Sequence, residues 1–283
     1  MKLLLLLLLA ICASSAHAAA AQHTNAAPQR LISLAPHTTE MAAALGLEQQ
    51  LVAISDYSDY PASVSHLPHV AGYHGIAVEQ IIALKPDLVL AWQGGNPQAA
   101  LDQLRSFGIH LFISSATTPE QLLDELLALG QATGREPQAQ ALVAELQQRL
   151  DQLAARYSQR QPLLAVFYQL WKQPLMTSGG PSWLTPLLGR CGARNVFADH
   201  PQPYPQVDIE QVISRQPEVI IIAEGDGQLW HHWPAVAGSK PRLLPLNPDL
   251  LQRMGPRLID GLEQLCQQLW PEPATTPQQE PPA

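Results

Sequence analysis

The stretch that decides the fold is Gln138–Gln161, with the sequence QAQALVAELQQRLDQLAARYSQRQ. It contains neither Gly nor Pro, and its apolar side chains recur at spacings of three and four, which predicts one amphipathic helix. These side chains are Leu142, Val143, Leu146, Leu150, Leu153 and Tyr157. A helix of about 22 residues spans about 33 Å, because each residue adds 1.5 Å. We therefore expect one long rigid helix, over residues 135–161, that runs along or between two domains.

Short β-like runs alternate with helical patterns on both sides of this helix. Before it, the patterns predict strands at 31–35, 51–55, 88–92 and 109–114 and helices at 38–47, 78–84 and 97–107. After it, they predict strands at 163–168, 218–223 and 242–246 and helices at 209–215 and 255–270. Such alternation is typical of parallel α/β units. The expected fold class is α/β. It comprises two lobes, 30–134 and 162–270, with mostly parallel central sheets flanked by helices and a ligand cleft between the lobes.

An internal repeat favours two similar lobes. The segment Val78–Leu90, VEQIIALKPDLVL, matches Ile209–Ile221, IEQVISRQPEVII, 131 residues later. Glu79 and Glu210 are equivalent in this repeat, each in the first turn of a predicted helix, where the helix dipole stabilises a carboxylate. The alternative is that the two segments share only a turn that is common in α/β units.

The two ends of the chain differ in composition from the middle. Residues 1–18 combine the apolar run Leu3–Ile11 with the small-residue sequence Ala16-His17-Ala18, which predicts a signal peptide cut after Ala18. The alternative is a lipoprotein signal with Cys12 as the lipidated residue. Residues 19–29 are expected to form a flexible lead, and the Pro-rich residues 271–283 a disordered tail. We expect an exported, soluble protein that does not insert into a membrane.

The chain is acidic and sparsely charged, with 16 Lys and Arg against 24 Asp and Glu and a net charge of −8. Nucleic acid is disfavoured as a partner, because phosphate binding requires clustered Lys and Arg. The hydrophobic content of 46% is too high for a disordered chain. Two cysteines, Cys191 and Cys266, remain after removal of the signal peptide, and an oxidising compartment would allow them to form a disulfide.

Motifs that would indicate an enzyme are absent from the sequence. It contains no G-x-S-x-G, H-E-x-x-H, Walker A or G-x-G-x-x-G segment, so we expect a protein that is not an enzyme. The segment Ser178-Gly-Gly-Pro-Ser182 predicts a turn followed by the start of a helix, and this is favoured over a nucleophile site. The histidine groups have no Cys or Glu at metal-ligand spacing, so surface histidines are favoured over a metal site. These groups are His66, His69, His74 and the pair His231-His232.

Aromatic side chains fall near the ends of several predicted strands. They are Tyr57, Tyr60, Tyr73, Trp92, Trp171, Tyr204 and Trp230. Ligands of parallel α/β sheets bind outside the carboxyl ends of the strands. A cleft walled by aromatic rings suits a large, flat ligand. For any single ring, packing in the core is the alternative.

Three runs carry a resemblance to a known family. They are LISLAPHTTE at Leu31–Glu40, YSDYP at Tyr57–Pro61 and IALKPDLVLAWQGGN at Ile82–Asn96. They resemble the periplasmic cobalamin-binding proteins, which belong to the helical-backbone class of substrate-binding proteins for ABC importers. The resemblance extends over residues 30–270 and implies capture of cobalamin or a related corrinoid, with no catalytic cofactor.

The resemblance and the aromatic pattern together give a predicted ligand site. Its members are Tyr57, Tyr73, Trp92, Trp171, Tyr204, Asp249, Leu250, Leu251, Gln252 and Arg253. Asp249 and Arg253 are its expected polar contacts. Tyr73 and Tyr204 stand where the best-known members of the family have Trp, and Leu250, Leu251 and Gln252 replace a more aromatic and acidic loop.

The resemblance also implies partners and a location. Glu79 and Glu210 would dock onto arginines of a dimeric permease, and Cys191 and Cys266 would form a disulfide. The protein would then be a periplasmic monomer that delivers its ligand to an ABC importer. The alternative within the class is a siderophore- or haem-binding protein, whose anionic ligand would favour several Arg or Lys around the cleft.

Overall fold

Two α/β lobes and the long helix between them make up the computed structural model, which describes residues 27–223, 225–234 and 238–271. The predicted signal peptide, most of the predicted lead and the predicted tail beyond residue 271 lie outside the described residues. Each lobe is assembled around one mostly parallel sheet, as the sequence predicts.

The N-terminal lobe contains six strands, β1 (Leu31–Ser33), β2 (Leu51–Ser55), β3 (His69–Gly72), β4 (Gly75–Ile76), β5 (Leu88–Trp92) and β6 (Leu111–Ser114). They lie in the order β4-β3-β2-β1-β5-β6, and β3 and β4 form an antiparallel hairpin while the other pairs are parallel. The helices of this lobe are α1 (Pro36–Ala44), α2 (Val78–Ala83), α3 (Gln98–Ser106) and α4 (Pro119–Thr133).

The predicted long helix is confirmed as α5 (Glu136–Tyr157), which has 22 residues. Its buried face includes Leu146, Leu150, Leu153 and Tyr157, four of the six apolar positions that predicted it.

The C-terminal lobe contains the strands β7 (Leu164–Lys172), β8 (Leu175–Thr177), β9 (Ala193–Asn195), β10 (Val219–Ala223) and β11 (Arg242–Leu246). The order is β11-β10-β7-β8, with β9 also paired to β7, and only the β7–β8 pair is antiparallel. The helices are α6 (Leu184–Arg190), α7 (Ile209–Ser214), α8 (Pro248–Leu251) and α9 (Leu258–Leu269). Helix α5 packs against α4 of the first lobe and against α6 and α9 of the second.

Both faces of each sheet are apolar, as buried parallel strands require. In β10, Val219 and Ile221 face the side of the sheet on which α5 lies, while Ile220 and Ile222 face the opposite side. The apolar cluster on the α5 side is continuous between the lobes and includes Leu31, Leu90, Leu146, Val166 and Leu262. One shared core therefore joins both sheets to the long helix.

Strand β7 is longer than the sequence pattern predicts, and this corrects the position of one predicted site residue. The strand continues to Lys172 because β8 pairs with its end, with Trp171 opposite Met176 and Lys172 opposite Leu175. Trp171 is thus a residue of the strand and does not follow it. The short strands β3, β4, β8 and β9 and helices α4 and α6 are also not predicted by the pattern.

The structure confirms the internal repeat. Helix α2 and strand β5 are matched by α7 and β10, and the turns between them place Lys85 and Gln216 in the left-handed region, with φ of 48° and 47°. The carboxylate of Asp87 accepts hydrogen bonds from the backbone N–H groups of Arg30 and Gln29, and that of Glu218 accepts one from Ala165. In both lobes, the acidic residue after the turn therefore holds the start of a central strand.

The disulfide between Cys191 and Cys266 is present, with the two Cα atoms 4.7 Å apart. It joins the residue after α6 to α9, and the indole N–H of Trp270 donates a hydrogen bond to the Cys191 carbonyl at 2.7 Å.

We expect reduction of this disulfide to lower the free energy of unfolding by about 4 kcal/mol, because the bridge closes a long loop in the unfolded chain. Urea unfolding of protein produced from residue 19, with and without reductant, measures the difference. A variant with both Cys191→Ser and Cys266→Ser should match the reduced protein and show no effect of reductant. Two reactive thiols in denatured, unreduced protein would contradict the bridge.

Candidate ligand-binding site

Five of the predicted aromatic site residues are exposed in the structure. Tyr73 is 94% exposed and Trp92 45%, and the other three are Tyr57, Trp171 and Tyr204. Single exposed rings are common on folded domains, so the evidence for a binding surface is their recurrence in both lobes rather than the exposure of any one ring. Tyr57 and Tyr73 follow β2 and β3, and Trp92 ends β5, whereas Trp171 lies within β7 and Tyr204 lies in the loop between β9 and α7.

Trp230 differs from the other aromatic residues. Its side chain is 1% exposed, and its ring packs against Phe167 and Trp233. The indole N–H donates a hydrogen bond of 2.7 Å to the side-chain oxygen of Gln169. The prediction that Trp230 faces the cleft is wrong, because Gln169 satisfies its polar group inside the core.

The position of Trp92 is fixed by the turn that follows it. A Cβ atom at Gly95 would lie 1.8 Å from the indole ring, so only glycine allows the ring to lie over this turn. Asn96 accepts a hydrogen bond from the Trp92 backbone N–H and donates one to the Leu34 carbonyl. On its other side, the Trp92 ring meets the ring of His37 edge to face, with centroids 5.4 Å apart. The Trp-Gln-Gly-Gly-Asn sequence thus builds a rigid aromatic wall.

Tyr57 lies in a loop that begins after β2 and is held by buried hydroxyl groups. Ser58 is hydrogen-bonded to Ser55 at 2.9 Å and to Thr39 at 3.0 Å, and Thr39 donates to Ser33. Tyr57 itself has a φ of 61°, a left-handed conformation that is uncommon outside glycine. The loop therefore presents an exposed ring from a fixed backbone.

Arg253 lies at the contact between the lobes. Its guanidinium is 12% exposed and bonds Asp249 at 2.7 Å, Asp59 at 2.8 Å and Glu40 at 3.1 Å. Glu40 and Asp59 belong to the first lobe, and Asp249 belongs to the second. The predicted polar contact of the ligand is thus also a contact between lobes, a role that the sequence analysis did not anticipate.

Leu250 and Leu251 require a correction. Their side chains are 8% and 1% exposed, because helix α8 turns them into the core of the second lobe. They offer no apolar surface to a ligand in this structure. The neighbouring Gln252 is exposed, and its side chain is hydrogen-bonded to the buried hydroxyl of Tyr168, whose pKa burial raises to about 12.

The structure connects most of the predicted residues through short contacts. The loop of Tyr57 reaches Arg253 and Asp249 through Asp59. Trp92 contacts His37, which lies beside Gly255 of the second lobe. Trp171 and Tyr204 form a separate group on the second lobe, since Trp171 pairs with Met176 and Met176 pairs with Gln206.

The docking candidates Glu79 and Glu210 are exposed in the first turns of α2 and α7. The repeat that relates them extends further than the sequence analysis found, because Tyr73 and Tyr204 are also 131 residues apart. In each lobe the segment between the Tyr and the Glu pairs antiparallel with a strand, Ile76 with Ala71 and Gln206 with Met176. Extending the alignment by five residues towards the N-terminus reveals this second pair.

Two further observations concern metals and membranes. Among the residues that the structure describes, no group of three or more His, Cys, Asp or Glu side chains is arranged to hold a metal ion. No helix in that part of the chain is long and apolar enough to cross a membrane.

Comparison with known proteins identifies the family. A model of the periplasmic binding protein family matches residues 31–231. The chain belongs to this family. Membership implies a periplasmic location, and the relatives below are named for binding, not for catalysis.

Two relatives of this periplasmic binding protein are named for vitamin B12. The vitamin B12-binding protein of Photorhabdus laumondii is 44% identical over 250 residues, which cover 86% of this chain and 89% of the relative. A crystal structure of the periplasmic vitamin B12 binding protein BtuF of Vibrio cholerae is 40% identical, with a TM-score of 0.76, covering 86% of this chain and 96% of that one.

A third solved structure is named for haem. The periplasmic heme binding protein of Pseudomonas aeruginosa is 30% identical, with a TM-score of 0.73, and the match covers 88% of this chain and 96% of that one. Relatives with this fold are therefore named for different classes of ligand. The residues of the binding site must determine which class is bound.

The buried ring of His37 predicts a pH dependence of stability. Burial, aided by Arg253, lowers its pKa from 6.5 to about 4. Between these values the unfolded chain binds the proton and the folded protein does not, so stability is complete above pH 6.5 and is lost as the pH falls towards 4. The loss from this group approaches about 3 kcal/mol.

Urea unfolding of the unsubstituted protein and of His37→Gln at pH 7 and pH 4.5 tests this origin. The substituted protein should lose less stability on acidification, because glutamine does not titrate. An equal loss in both proteins would assign the acid sensitivity to other groups.

Proposed function

We propose that this protein captures cobalamin or a related corrinoid in the periplasm and delivers it to an ABC importer. The observation that carries the proposal is the set of exposed rings in both lobes, two of which, Tyr57 and Trp92, are held by a fixed backbone. Relatives named for vitamin B12 match 86% of the chain at 40% identity or more, which supports the same ligand class. The protein would be exported by its N-terminal signal peptide and act as a monomer.

The rings would bind the flat faces and edges of the corrin. Tyr57, Tyr73 and Trp92 would contact it from the first lobe, and Trp171 and Tyr204 from the second. Aromatic side chains provide large contact areas with few rotatable bonds, so little conformational entropy is lost on binding. Asp249 and Gln252 would hydrogen-bond the amide side chains at the corrin periphery.

The electrostatics of the site favour a corrinoid over haem or a siderophore. Haem carries two carboxylates and ferric siderophores are commonly anionic, so both would require unpaired cations. Arg253 is already bonded to three carboxylates, and Arg257 is bonded to Glu40. Corrin amides are neutral and do not need such a cation. Haem is the alternative ligand, because a relative at 30% identity is named for haem binding.

Calorimetric titration with cyanocobalamin, haemin and ferrichrome tests the ligand class. We expect tight binding of cyanocobalamin alone, and Trp92→Ala should weaken it by about tenfold or more, since a lost ring contact is worth about 1–2 kcal/mol. Phe107→Ala is the matched control, because Phe107 is also an exposed ring, at 60%, but is not a predicted site residue. Tight binding of haemin without heat from cyanocobalamin would refute the proposal.

Delivery would depend on Glu79 and Glu210. Both carboxylates are exposed on matching helices of the two lobes, and neither forms an ion pair within the described residues. Two equivalent acids fit a dimeric permease that presents two equivalent arginines. Charge pairs at such an interface would set orientation and association rate more than affinity.

The double variant Glu79→Ala and Glu210→Ala should bind cyanocobalamin normally and fail to support its uptake. Uptake of labelled cyanocobalamin by cells that depend on this protein, together with titration of the purified variant, separates the two effects. Glu136→Ala is the control, since Glu136 is exposed in the first turn of α5. Lost binding in the double variant would place the glutamates in the ligand site instead.

A further inference from the structure

A buried carboxylate links the two lobes. Glu40 lies on α1 of the first lobe and is 2% exposed. Its Oε1 atom accepts hydrogen bonds from Arg253 at 3.1 Å and from Arg257 at 3.3 Å. Both arginines lie between α8 and α9 of the second lobe. One carboxylate of the first lobe therefore holds two cations of the second.

The two arginines depend on Glu40 to different degrees. Arg253 also bonds Asp59 at 2.8 Å and Asp249 at 2.7 Å, so two carboxylates would still compensate its charge if Glu40 were neutral. Arg257 stacks over the ring of Tyr60 at 4.0 Å, and within the described part of the chain Glu40 is the only carboxylate it contacts. Loss of the Glu40 charge would leave a largely buried cation uncompensated, which is strongly unfavourable.

The space beside this carboxylate is only partly filled by side chains. A cavity of about 230 Å³ lies between the network and α5, with Ala43, Tyr60, Leu146 and Arg149 among its lining residues. A Cβ atom at Gly255 would lie 3.1 Å from Glu40 Oε2 and 3.5 Å from His37 Cα, so glycine allows the lobes to approach closely here. Around Glu40 the lobes are held together by its ion pairs with Arg253 and Arg257 rather than by packed apolar side chains.

We propose that Glu40 is a positioning residue for ligand capture. Through Arg253 and Arg257 it fixes helix α8, which carries Asp249, and the following Gln252 against the wall formed by His37 and Trp92. The two walls of the cleft are then already positioned in the ligand-free protein. Less conformational entropy is therefore lost when the ligand binds. This inference rests on the proposed function for its ligand, but the effect on the lobes exists without one.

Glu40→Gln tests the inference in the ligand-free protein. Spin labels on Gln80→Cys of α2 and Ser214→Cys of α7 report the distance between lobes by pulsed electron resonance, and the native cysteines are protected by their disulfide. We expect Glu40→Gln to broaden the distance distribution. We also expect the Kd for cyanocobalamin to rise about tenfold or more, because the binding-competent arrangement is less populated.

Two further variants control the result. Glu120→Gln removes a carboxylate of α4 that bonds Arg190 of α6 across the lobes but is 53% exposed, so it should leave the distribution unchanged and the Kd within about twofold. The double variant Glu40→Gln and Arg257→Gln removes both members of one buried pair. It should give a distance distribution and a Kd between those of Glu40→Gln and those of the unsubstituted protein. If Glu40→Gln does not fold, a distribution in the double variant identical to that of the unsubstituted protein overturns the positioning role.

The two measurements separate the outcomes. An unchanged distribution in Glu40→Gln overturns the positioning role, even if affinity falls, since Glu40 would then act on the ligand directly. A broadened distribution with unchanged affinity also overturns it. If the unsubstituted protein fails to bind cyanocobalamin, the proposed function is wrong, while the distance distributions still decide whether Glu40 positions the lobes.

Discussion

The packing of α5 against both lobes is the contact on which the rest of the structure depends. Its buried residues Leu146, Leu150 and Leu153 belong to one apolar cluster that also contains residues of both sheets. Burial of apolar surface is the dominant favourable term in folding, so the lobes share one source of stability. A helix of 22 residues in continuous packing cannot act as a flexible linker. Large separations of the lobes would expose this core, and only small rotations are compatible with it.

This frame determines where a ligand can bind. Strands β1, β5 and β6 of the first lobe are parallel, as are β7, β10 and β11 of the second, so within each sheet the loops after these strands lie at one edge. Those edges carry the exposed rings, and local devices hold two of them in place: the turn at Gly95 for Trp92 and the hydroxyl groups around Ser58 for Tyr57. Rings exposed to water do not gain the stability that burial gives, and a ligand that covers them would bury their apolar surface.

Periodicity and the repeat predict the architecture from sequence because both are read from short segments. The long helix and the strands follow from local spacing, and the equivalence of Glu79 with Glu210 follows from the match of two short segments that lie 131 residues apart. Whether an individual side chain is buried or paired depends on partners that are distant in the sequence. Trp230 is buried because Gln169 accepts its N–H, and Arg253 pairs with Glu40, which lies 213 residues away. The run Leu31–Glu40 pointed to the right segment, but no spacing rule assigns its last residue two arginines of the other lobe.

The interface between the lobes is therefore divided into two layers with different physics. Close to α5 the contact is mainly apolar. Towards the cleft it becomes polar, with Glu40, Arg253 and Arg257 beside the rings of Tyr60 and Trp92. Apolar packing is non-directional and tolerates small shifts, whereas a buried ion pair is favourable only in good geometry. A protein that must present two walls at a defined spacing gains from placing the directional contact next to the ligand. The apolar layer then provides stability, and the charged layer fixes the position of one lobe relative to the other.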